Sequence, residues 1–384
     1  MCLYCGCSVV LNRKSENEER YVDYLMREID LVSSHFDERR VRQLHFGGGT
    51  PTKLSIPLFQ KLYEKIKERF AISGEIAIEI DPRTVTEDKG RKLRFLKELG
   101  FNRVSFGVQD TSSQVQEAVK RRQSLEMTKQ TFAWSRELDF DSVNIDLIYG
   151  LPYQTIESFR TTVKHILEMR PDRISLFSYA KVPWLKKHQL AIKDETLPTT
   201  EEKFQIYQEA RAAFVAAGYV AIGMDHFAVA DDEIAICYRE KKLQRNFQGY
   251  SAKLAYDQLG FGVTAIGFVQ DCYAQNLKTL EEYYAALDQD QLPVHRGKEL
   301  SDEDKARKWL IHTLMSDFRI DKREFERRFQ RKYDFVLKDV ENLVIETGDF
   351  VEVTPDGELL IRNIAMNFDG YLKETVTPKF SQSI

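Results

Sequence analysis

Apolar runs with strand character recur along the first two thirds of the chain, at Val41–Phe46, Glu75–Ile80, Arg103–Val108, Ser142–Leu147, Arg173–Ser178 and Tyr219–Met224. Between them the apolar residues fall at helical spacing, over Glu18–Val32, Ile56–Arg69, Thr86–Leu99, Ser113–Leu138, Thr155–Met169 and Thr199–Ala217. Gly100 and Gly218 follow the last periodic residues of two of these segments, as helix C-caps do. Thr199-Thr200-Glu201-Glu202 opens another like a capping box. Strand starts return every ~30–45 residues, the β-α-β rhythm of a parallel sheet. Six such units predict a barrel or part of one, with functional residues at the C-terminal ends of the strands. A cysteine cluster precedes the first helix, where a βα loop would lie, but no strand leads into it. The chain is therefore expected to begin in the middle of a βα unit.

From residue 301 the pattern changes. Asp302–Met315, Lys322–Lys332 and Leu337–Glu346 predict three helices. Phe350–Ile361 predicts a hairpin around the turn Thr354-Pro355-Asp356-Gly357. Three helices and a hairpin resemble a winged helix. The expected division is 1–300 for the barrel and 301–384 for a small α+β module. Lys322, Arg323, Arg327, Arg328, Arg331 and Lys332 are interleaved with Glu324, Glu326 and Asp334, so a solvated face is expected rather than a nucleic-acid surface.

Composition narrows the class. Of 384 residues 42% are hydrophobic and 30% charged, which excludes a disordered chain. Fifty-six basic against 60 acidic residues leave a net charge of -4, too little positive charge to grip a phosphate backbone. The longest strongly apolar stretch, Ala212 to Met224, is 13 residues, and a spanning helix needs ~20. Met1 is followed at once by Cys2, with no charged-then-apolar leader, so a cytoplasmic protein is expected. Cys2, Cys5 and Cys7 crowd the first seven residues, whereas Cys237 and Cys272 stand singly and are expected to be structural. In a reducing compartment a Cys-x-x-Cys reads as metal or redox chemistry. Zinc and an iron–sulfur cluster both remain open on the residues alone, although no second Cys or His pair at zinc spacing follows.

Polar residues gather at the expected strand ends. Gly47-Gly48-Gly49-Thr50-Pro51 follows the first strand, where glycines admit close approach of a ligand and their N–H groups can hold an anion. It matches neither a P-loop nor a dinucleotide fingerprint. Glu79 and Asp81, then Gln109 and Asp110, then Asp146, close the next three strands, and Ala180 follows the fifth. Arg121 lies in the helical segment after Gln109. Asp225-His226-Phe227 ends the sixth strand, where the histidine reads equally as a base or substrate contact or as a hydrogen-bonded structural residue.

Cys-Leu-Tyr-Cys-Gly-Cys, Gln-Leu-His-Phe-Gly-Gly-Gly-Thr-Pro-Thr (43–52), Ile-Glu-Ile-Asp-Pro-Arg (78–83), Gly-Phe-Asn-Arg-Val-Ser-Phe-Gly-Val-Gln-Asp (100–110), Asn-Ile-Asp-Leu-Ile-Tyr-Gly-Leu-Pro (144–152), Gly-Met-Asp-His-Phe-Ala (223–228), Arg-Asn-Phe-Gln-Gly-Tyr (245–250) and Leu-Ile-Arg-Asn-Ile (360–364) together resemble the oxygen-independent coproporphyrinogen III oxidases of the radical S-adenosylmethionine (SAM) superfamily. The resemblance spans essentially the whole chain. It implies a partial TIM-like radical SAM barrel, here lacking its first strand, with a [4Fe–4S] cluster and two SAM molecules per turnover. It assigns Cys2 and Cys5 to the cluster and places Tyr4 beside SAM, with Cys7 an accessory cysteine. It assigns Gly48, Gly49, Thr50, Glu79 and Ile266 to the first SAM, and Gln109, Arg121, Asp146 and Ala180 to a second. It implies that a 5′-deoxyadenosyl radical abstracts hydrogen from propionate β-carbons of coproporphyrinogen III. Loss of an electron and CO₂ from two propionates would then give the vinyl groups of protoporphyrinogen IX in porphyrin biosynthesis. An electron donor such as flavodoxin or ferredoxin is implied, and a monomer is expected.

In the resembling family a first cluster cysteine lies four positions before Cys2, where this chain has only Met1. The chain is therefore expected to lack the family's N-terminal segment and, as written, to hold a cluster poorly. A haem-binding chaperone of the same superfamily is the alternative, disfavoured by Cys7, Gln109, Asp110 and Arg121. A zinc-stabilised nucleic-acid module is a third reading, resting only on the Cys-x-x-Cys and the winged-helix pattern.

Overall fold

The computed structural model of the chain describes residues 1–384 except 11–14, 38, 247–248, 254–256 and 373–384. Phe247 and Gln248 of the 245–250 motif, and the end of the 301–384 module, thus lie outside the described residues.

Five strands lie side by side and run parallel: β1 (Arg40–Phe46), β2 (Ala71–Ile80), β3 (Arg103–Gln109), β4 (Ser142–Tyr149) and β5 (Arg173–Ser178). The sheet ends in a hairpin, β6 (Tyr219–Ile222) and β7 (His226–Val229), whose second strand pairs antiparallel with β5. This corrects the expected sixth βα unit. The chain reverses at Gly223, whose φ of +57 suits glycine, so His226 opens a strand rather than following one. The helices α1 (Ser15–Ser33), α2 (Ile56–Arg69), α3 (Pro82–Thr86), α4 (Arg91–Glu98), α5 (Ser113–Ala118), α6 (Leu125–Glu137), α7 (Ile156–Met169) and α8 (Thr200–Ala216) precede or connect these strands.

Two predicted helices are each broken in two. Thr86–Leu99 divides at Lys89 and Gly90, both of positive φ (55 and 77), a conformation that ends a helical turn. Ser113–Leu138 divides at residues 119–124. There Lys120 has φ 55, and the Ser124 side chain caps a new helix by accepting from Met127 N–H. Arg121 therefore lies in a loop, not on a helix. Elsewhere the caps are as the sequence indicates, and Thr199 and Glu202 form the reciprocal capping box of α8.

Strand alternation separates two faces. Val104, Phe106 and Val108 on β3, and Val143, Ile145 and Leu147 on β4, are buried in one apolar core with Phe59, Leu93, Leu96, Phe132, Phe159, Val163 and Phe214 of the helices. The alternate residues, Ser105 and Gly107 on β3 and Asn144 and Asp146 on β4, face the other side and make it polar.

After the hairpin come α9 (Glu233–Arg239), the two-stranded β8 (Gln244–Asn246) and β9 (Gly249–Ser251), the antiparallel sheet β10 (Ile266–Val269), β11 (Cys272–Asn276), β12 (Val294–Glu299), and α10 (Leu280–Asp288). Glu28 ties α1 to this region. Its carboxylate is 1% exposed and accepts from Asn276 Nδ2 (2.6 Å), Gly262 N (2.7 Å) and Tyr283 Oη (2.6 Å).

The C-terminal region has a core of its own, with Leu310, Leu314, Ile320, Phe325, Val351, Ile364 and Phe368 at its centre. Its elements are α11 (Asp302–Asp317), β13 (Arg319–Asp321), α12 (Lys322–Phe329), β14 (Val344–Glu346), β15 (Phe350–Val353), α13 (Pro355–Leu359) and α14 (Ile361–Met366), with antiparallel sheet order β13-β15-β14. Two expectations fail here. Leu337–Glu346 is not a helix, because it ends in β14. Thr354-Pro355-Asp356-Gly357 is not a hairpin turn but the start of α13, with Thr354 accepting from Gly357 N–H and proline in the first turn. The hairpin is β14–β15, turned at residues 347–349.

Candidate active site

The first residues close a turn, with Cys5 N–H donating to Cys2 O (3.3 Å), and lean on the loop after α5 through Leu3 N–H to Val119 O (2.9 Å). Three carbonyls of this turn are held from the loop after β5. Tyr4 O accepts from Gln189 Nε2 (2.8 Å), Cys5 O from His188 Nε2 (2.8 Å) and Cys7 O from Lys186 Nζ (2.9 Å). Cys2 is buried, and its sulfur faces Arg121 Nη1 (3.7 Å) and Arg83 Nη2 (3.9 Å). A hydrogen bond from Cys7, aided by the charges of His188 and Lys186 and opposed by burial, lowers the Cys5 thiol to about 6. That same bond, with burial, pushes the Cys7 thiol up. Near neutral pH Cys5 is thus the thiolate and Cys7 keeps its proton, and a thiolate is what binds metal.

Arg121 joins this turn to the sheet. Its side chain is 6% exposed. Nη1 donates to Tyr4 Oη (3.2 Å), Nε to Gln123 Oε1 (3.1 Å), and Nη2 to Gly107 O, while Asp81 Oδ1 lies 3.7 Å away. A Cβ on Gly107 would stand 2.8 Å from Gln109 Nε2 and 3.3 Å from Arg121 Nη2, so glycine is what lets both side chains meet there. Asp81 caps α3 and pairs with Arg83 (2.5 Å). Burial opposes its ionisation, but the hydrogen bonds from Arg83 and the charges of Arg121 and Arg83 prevail and hold the carboxyl below its usual range. Gln189 Nε2 also reaches Ala180 O (3.2 Å). Cys2, Tyr4, Gln109, Arg121 and Ala180, scattered over 180 residues of sequence, thus converge.

The glycine loop stands at the neighbouring strand ends. Glu79 Oε2 accepts from Gly48 N–H (3.1 Å), and Oε1 lies 3.2 Å from His45 Nε2. A Cβ on Gly47 would come within 2.6 Å of both Glu79 Oε1 and His45 Nε2, whereas at Gly48 and Gly49 the corresponding space is open. Thr50 precedes a short 3₁₀ turn, Pro51–Lys53. Asp146 sits lower on the polar face, accepting from Ser105 Oγ (3.0 Å) and Asn144 Nδ2 (2.7 Å). Burial, with repulsion from Glu79, raises its carboxyl to about 6.

One strand-end residue does not join the site. Asp110 turns into the helical layer, where it accepts from Ser112 N (2.7 Å), Thr162 Oγ1 (2.8 Å) and Gln154 Nε2 (2.6 Å), a structural role. Ile266 begins β10, in a different sheet. Sequence reasoning missed Arg83, Lys186, His188 and Gln189. Arg83 carried a signal, directly after Asp81-Pro82 at a strand end. The others sit in a loop whose course over the cysteine turn only the fold reveals.

The site's donors can be tested against a cluster and SAM. Among the described residues no three His, Cys, Asp or Glu side chains form a ready-made metal cage. Cys2 and Cys5 fit as two thiolate ligands, flanked by His188 and by Arg83, Arg121 and Lys186, cations that offset the charge of an iron–sulfur centre. The open space at Gly48 and Gly49 beside the Glu79 carboxylate fits a zwitterionic amino-acid group. A parallel sheet carrying a Cys-x-x-Cys turn and a glycine loop at the C-terminal ends of its strands defines a radical SAM protein, and the sequence model of the Radical SAM superfamily matches residues 1–166.

The chain is 42% identical over 400 residues to the oxygen-independent coproporphyrinogen III oxidase of Synechocystis sp., covering 100% of this chain and 85% of that protein. It is 42% identical over 387 residues to the enzyme of the same name from Escherichia coli, covering 97% and 84%. The solved structure of the Escherichia coli coproporphyrinogen III oxidase, described as a radical SAM enzyme, superposes with a TM-score of 0.91 at 41% identity, over 97% of this chain and 88% of that one. The chain belongs to the oxygen-independent coproporphyrinogen III oxidase family. These relatives favour the oxidase over the haem-binding and zinc readings.

Proposed function

We infer that this chain carries out its family's reaction, the oxygen-independent oxidation of coproporphyrinogen III in haem biosynthesis. The observation that supports it most is the convergence of the cysteine turn, Arg121 and the Glu79–glycine loop on one polar face, in a chain that superposes on the Escherichia coli enzyme. The family's [4Fe–4S] cluster and SAM supply the 5′-deoxyadenosyl radical that starts the oxidation.

The chain's own residues bind and orient. Cys2 and Cys5 are the proposed cluster ligands, with Tyr4 beside SAM and Cys7 accessory. Glu79, a carboxylate already held by Gly48 N–H, would take the SAM ammonium, and Gly48, Gly49 and Thr50 would line the same molecule. Gln109, Arg121, Asp146 and Ala180 are proposed contacts of a second SAM. Arg121 suits its carboxylate, being a buried fork of donors. Ile266 is proposed against the first SAM on the resemblance alone.

The propionate-bearing substrate enters the polar face, and the apolar core behind the sheet keeps the strand ends rigid. We read residues 1–300 as the catalytic unit and 301–384 as an attached module. No helix among the described residues is long and apolar enough to cross a membrane. A cytoplasmic monomer fed by a flavodoxin or ferredoxin completes the proposal. The test is anaerobic reconstitution with iron and sulfide, followed by assay of reductant-dependent 5′-deoxyadenosine and of protoporphyrinogen. Both products together with a bound cluster bear the reading out. A stable cluster that cleaves SAM without decarboxylating coproporphyrinogen III refutes it.

A further inference from the structure

The polar face extends past the proposed SAM contacts to a group of charged residues that the reading above leaves unused. Asp146 pairs laterally with Ser175 on β5, and Ser175 with His226 on β7, so these three side chains stand in one row on the same face. His226 Nδ1 lies 2.7 Å from Asp225 Oδ1, with the two side chains 13% and 10% exposed. The carboxylate fixes the ring with its Nδ1–H toward Asp225. The edges of Phe177 (centroids 5.9 Å) and Tyr250 (5.2 Å) fix it further. The other nitrogen, Nε2, looks toward Gly249, where a Cβ would come within 3.3 Å, and Gly249 holds a φ of +133 that side chains rarely adopt. Glycine there keeps a side chain from crowding Nε2. Arg245, across the β8–β9 pair from Tyr250, lays its guanidinium 5.5 Å from the Tyr250 ring centroid. Its Nε is buried with no hydrogen-bond partner among the described residues. An orphaned donor on a cation costs stability unless something takes it. Arg362 Nη2 stands 3.9 Å from Asp225 Oδ2, so among the described residues two guanidinium groups, Arg245 and Arg362, act on the Asp225 carboxylate.

We propose that His226 and Arg245, with Asp225 orienting the imidazole, bind a propionate carboxylate of the porphyrinogen. The imidazolium, its Nδ1–H on Asp225, offers Nε2–H, which converges with the guanidinium N–H on the carboxylate oxygens two strands from Asp146 in the same row, and so fixes which arm of the macrocycle lies over the proposed SAM sites. This rests on the function proposed above, which supplies a substrate with carboxylate arms. SAM also carries a carboxylate, so the test separates the two.

The probe is coproporphyrin III, the stable oxidised analogue, titrated by fluorescence into the cluster-free chain. His226→Phe keeps the ring contacts and removes the donor. Arg245→Met keeps the stem and removes the charge. Each variant is expected to weaken coproporphyrin III binding tenfold or more, with unchanged circular dichroism, unchanged SAM affinity and no effect on the weaker binding of the tetramethyl ester. His226→Gln, which retains a donor, recovers part of the loss. Equal porphyrin affinity in wild type and both variants overturns the proposal. So does a loss of SAM affinity in place of porphyrin affinity, or a wild-type chain indifferent to the ester. A reconstituted His226→Phe enzyme that decarboxylates with unchanged KM refutes this inference and leaves the function standing. A wild type that binds porphyrin through these residues but never decarboxylates refutes the function instead.

Discussion

Asp146 offers the most direct test of the electrostatics of the polar face. Its carboxyl is raised from 3.8 to about 6, first by burial and then by repulsion from Glu79. The sign follows from linkage. Below about pH 4 both the folded and the unfolded chain hold this proton. As pH rises through the interval up to about 6, the unfolded chain ionises while folded Asp146 stays protonated, so the residue's contribution to stability falls. About two units at ~1.4 kcal/mol each come to ~3 kcal/mol lost by pH 7 relative to pH 4. Asp146→Asn cannot ionise. The variant keeps an acceptor for Asn144 Nδ2, and Ser105 Oγ can turn to accept from its new amide. The assay is urea unfolding of both proteins, cluster-free and reduced, from pH 4 to pH 7.5. Many groups titrate in this range, but the variant-minus-wild-type difference isolates the one that was removed. That difference should swing by ~3 kcal/mol in the variant's favour as pH rises, then level off above about 6. A flat difference, or one that moves the other way, refutes the reasoning. In the presence of SAM the advantage should shrink, because a cationic ligand favours the ionised aspartate that only the wild type can form.

Gly47→Ala places a methyl 2.6 Å from Glu79 Oε1 and His45 Nε2, and both are side-chain ends that can swing aside. Stability measured by thermal melting should fall by less than ~1 kcal/mol, whereas SAM affinity by calorimetry should drop at least tenfold. Glu28→Ala removes the acceptor of Tyr283 Oη, Gly262 N and Asn276 Nδ2. At ~1–3 kcal/mol per stranded buried donor it should cost upward of ~3 kcal/mol in urea unfolding, with Glu28→Gln costing clearly less. In the cluster-free chain iodoacetamide at pH 7 should label Cys5 well before Cys7, as peptide mass mapping would show. Labelling of Cys5 should fall away below its value of about 6.

The division of labour between sequence and fold shows in particular residues. The strands β1 to β5 and the helices α2, α7 and α8 are local matters of periodicity and capping. The alternation of Val104, Phe106 and Val108 with Ser105 and Gly107, and the Thr199–Glu202 cap, state the element and its buried face without reference to the rest of the chain. The glycine loop, Glu79 and the Cys-x-x-Cys were legible for the same reason, since each occupies a few contiguous residues at a strand end or in one turn. Breaks were not legible where a single residue of positive φ decides them. Lys120 in a run of helix formers gives no warning that Arg121 will leave the helix to reach Cys2. Thr354-Pro355-Asp356-Gly357 suits a turn and a helix start equally, and packing beneath β15 chose the helix. Asp110 and Gln109 are neighbours with the same polar promise, yet strand alternation and the path of α7 send one into the helical layer and the other to Arg121. The cysteine turn is held by Gln189, His188 and Lys186 from 179 to 185 residues away, and His226 stands in register with Asp146 only because β7 runs antiparallel beside β5. Local sequence determined the strands, the caps and the reactive groups, because short-range sterics and hydrogen bonding suffice for them. Which groups meet was decided by the fold, because burial and register act between segments that are distant along the chain.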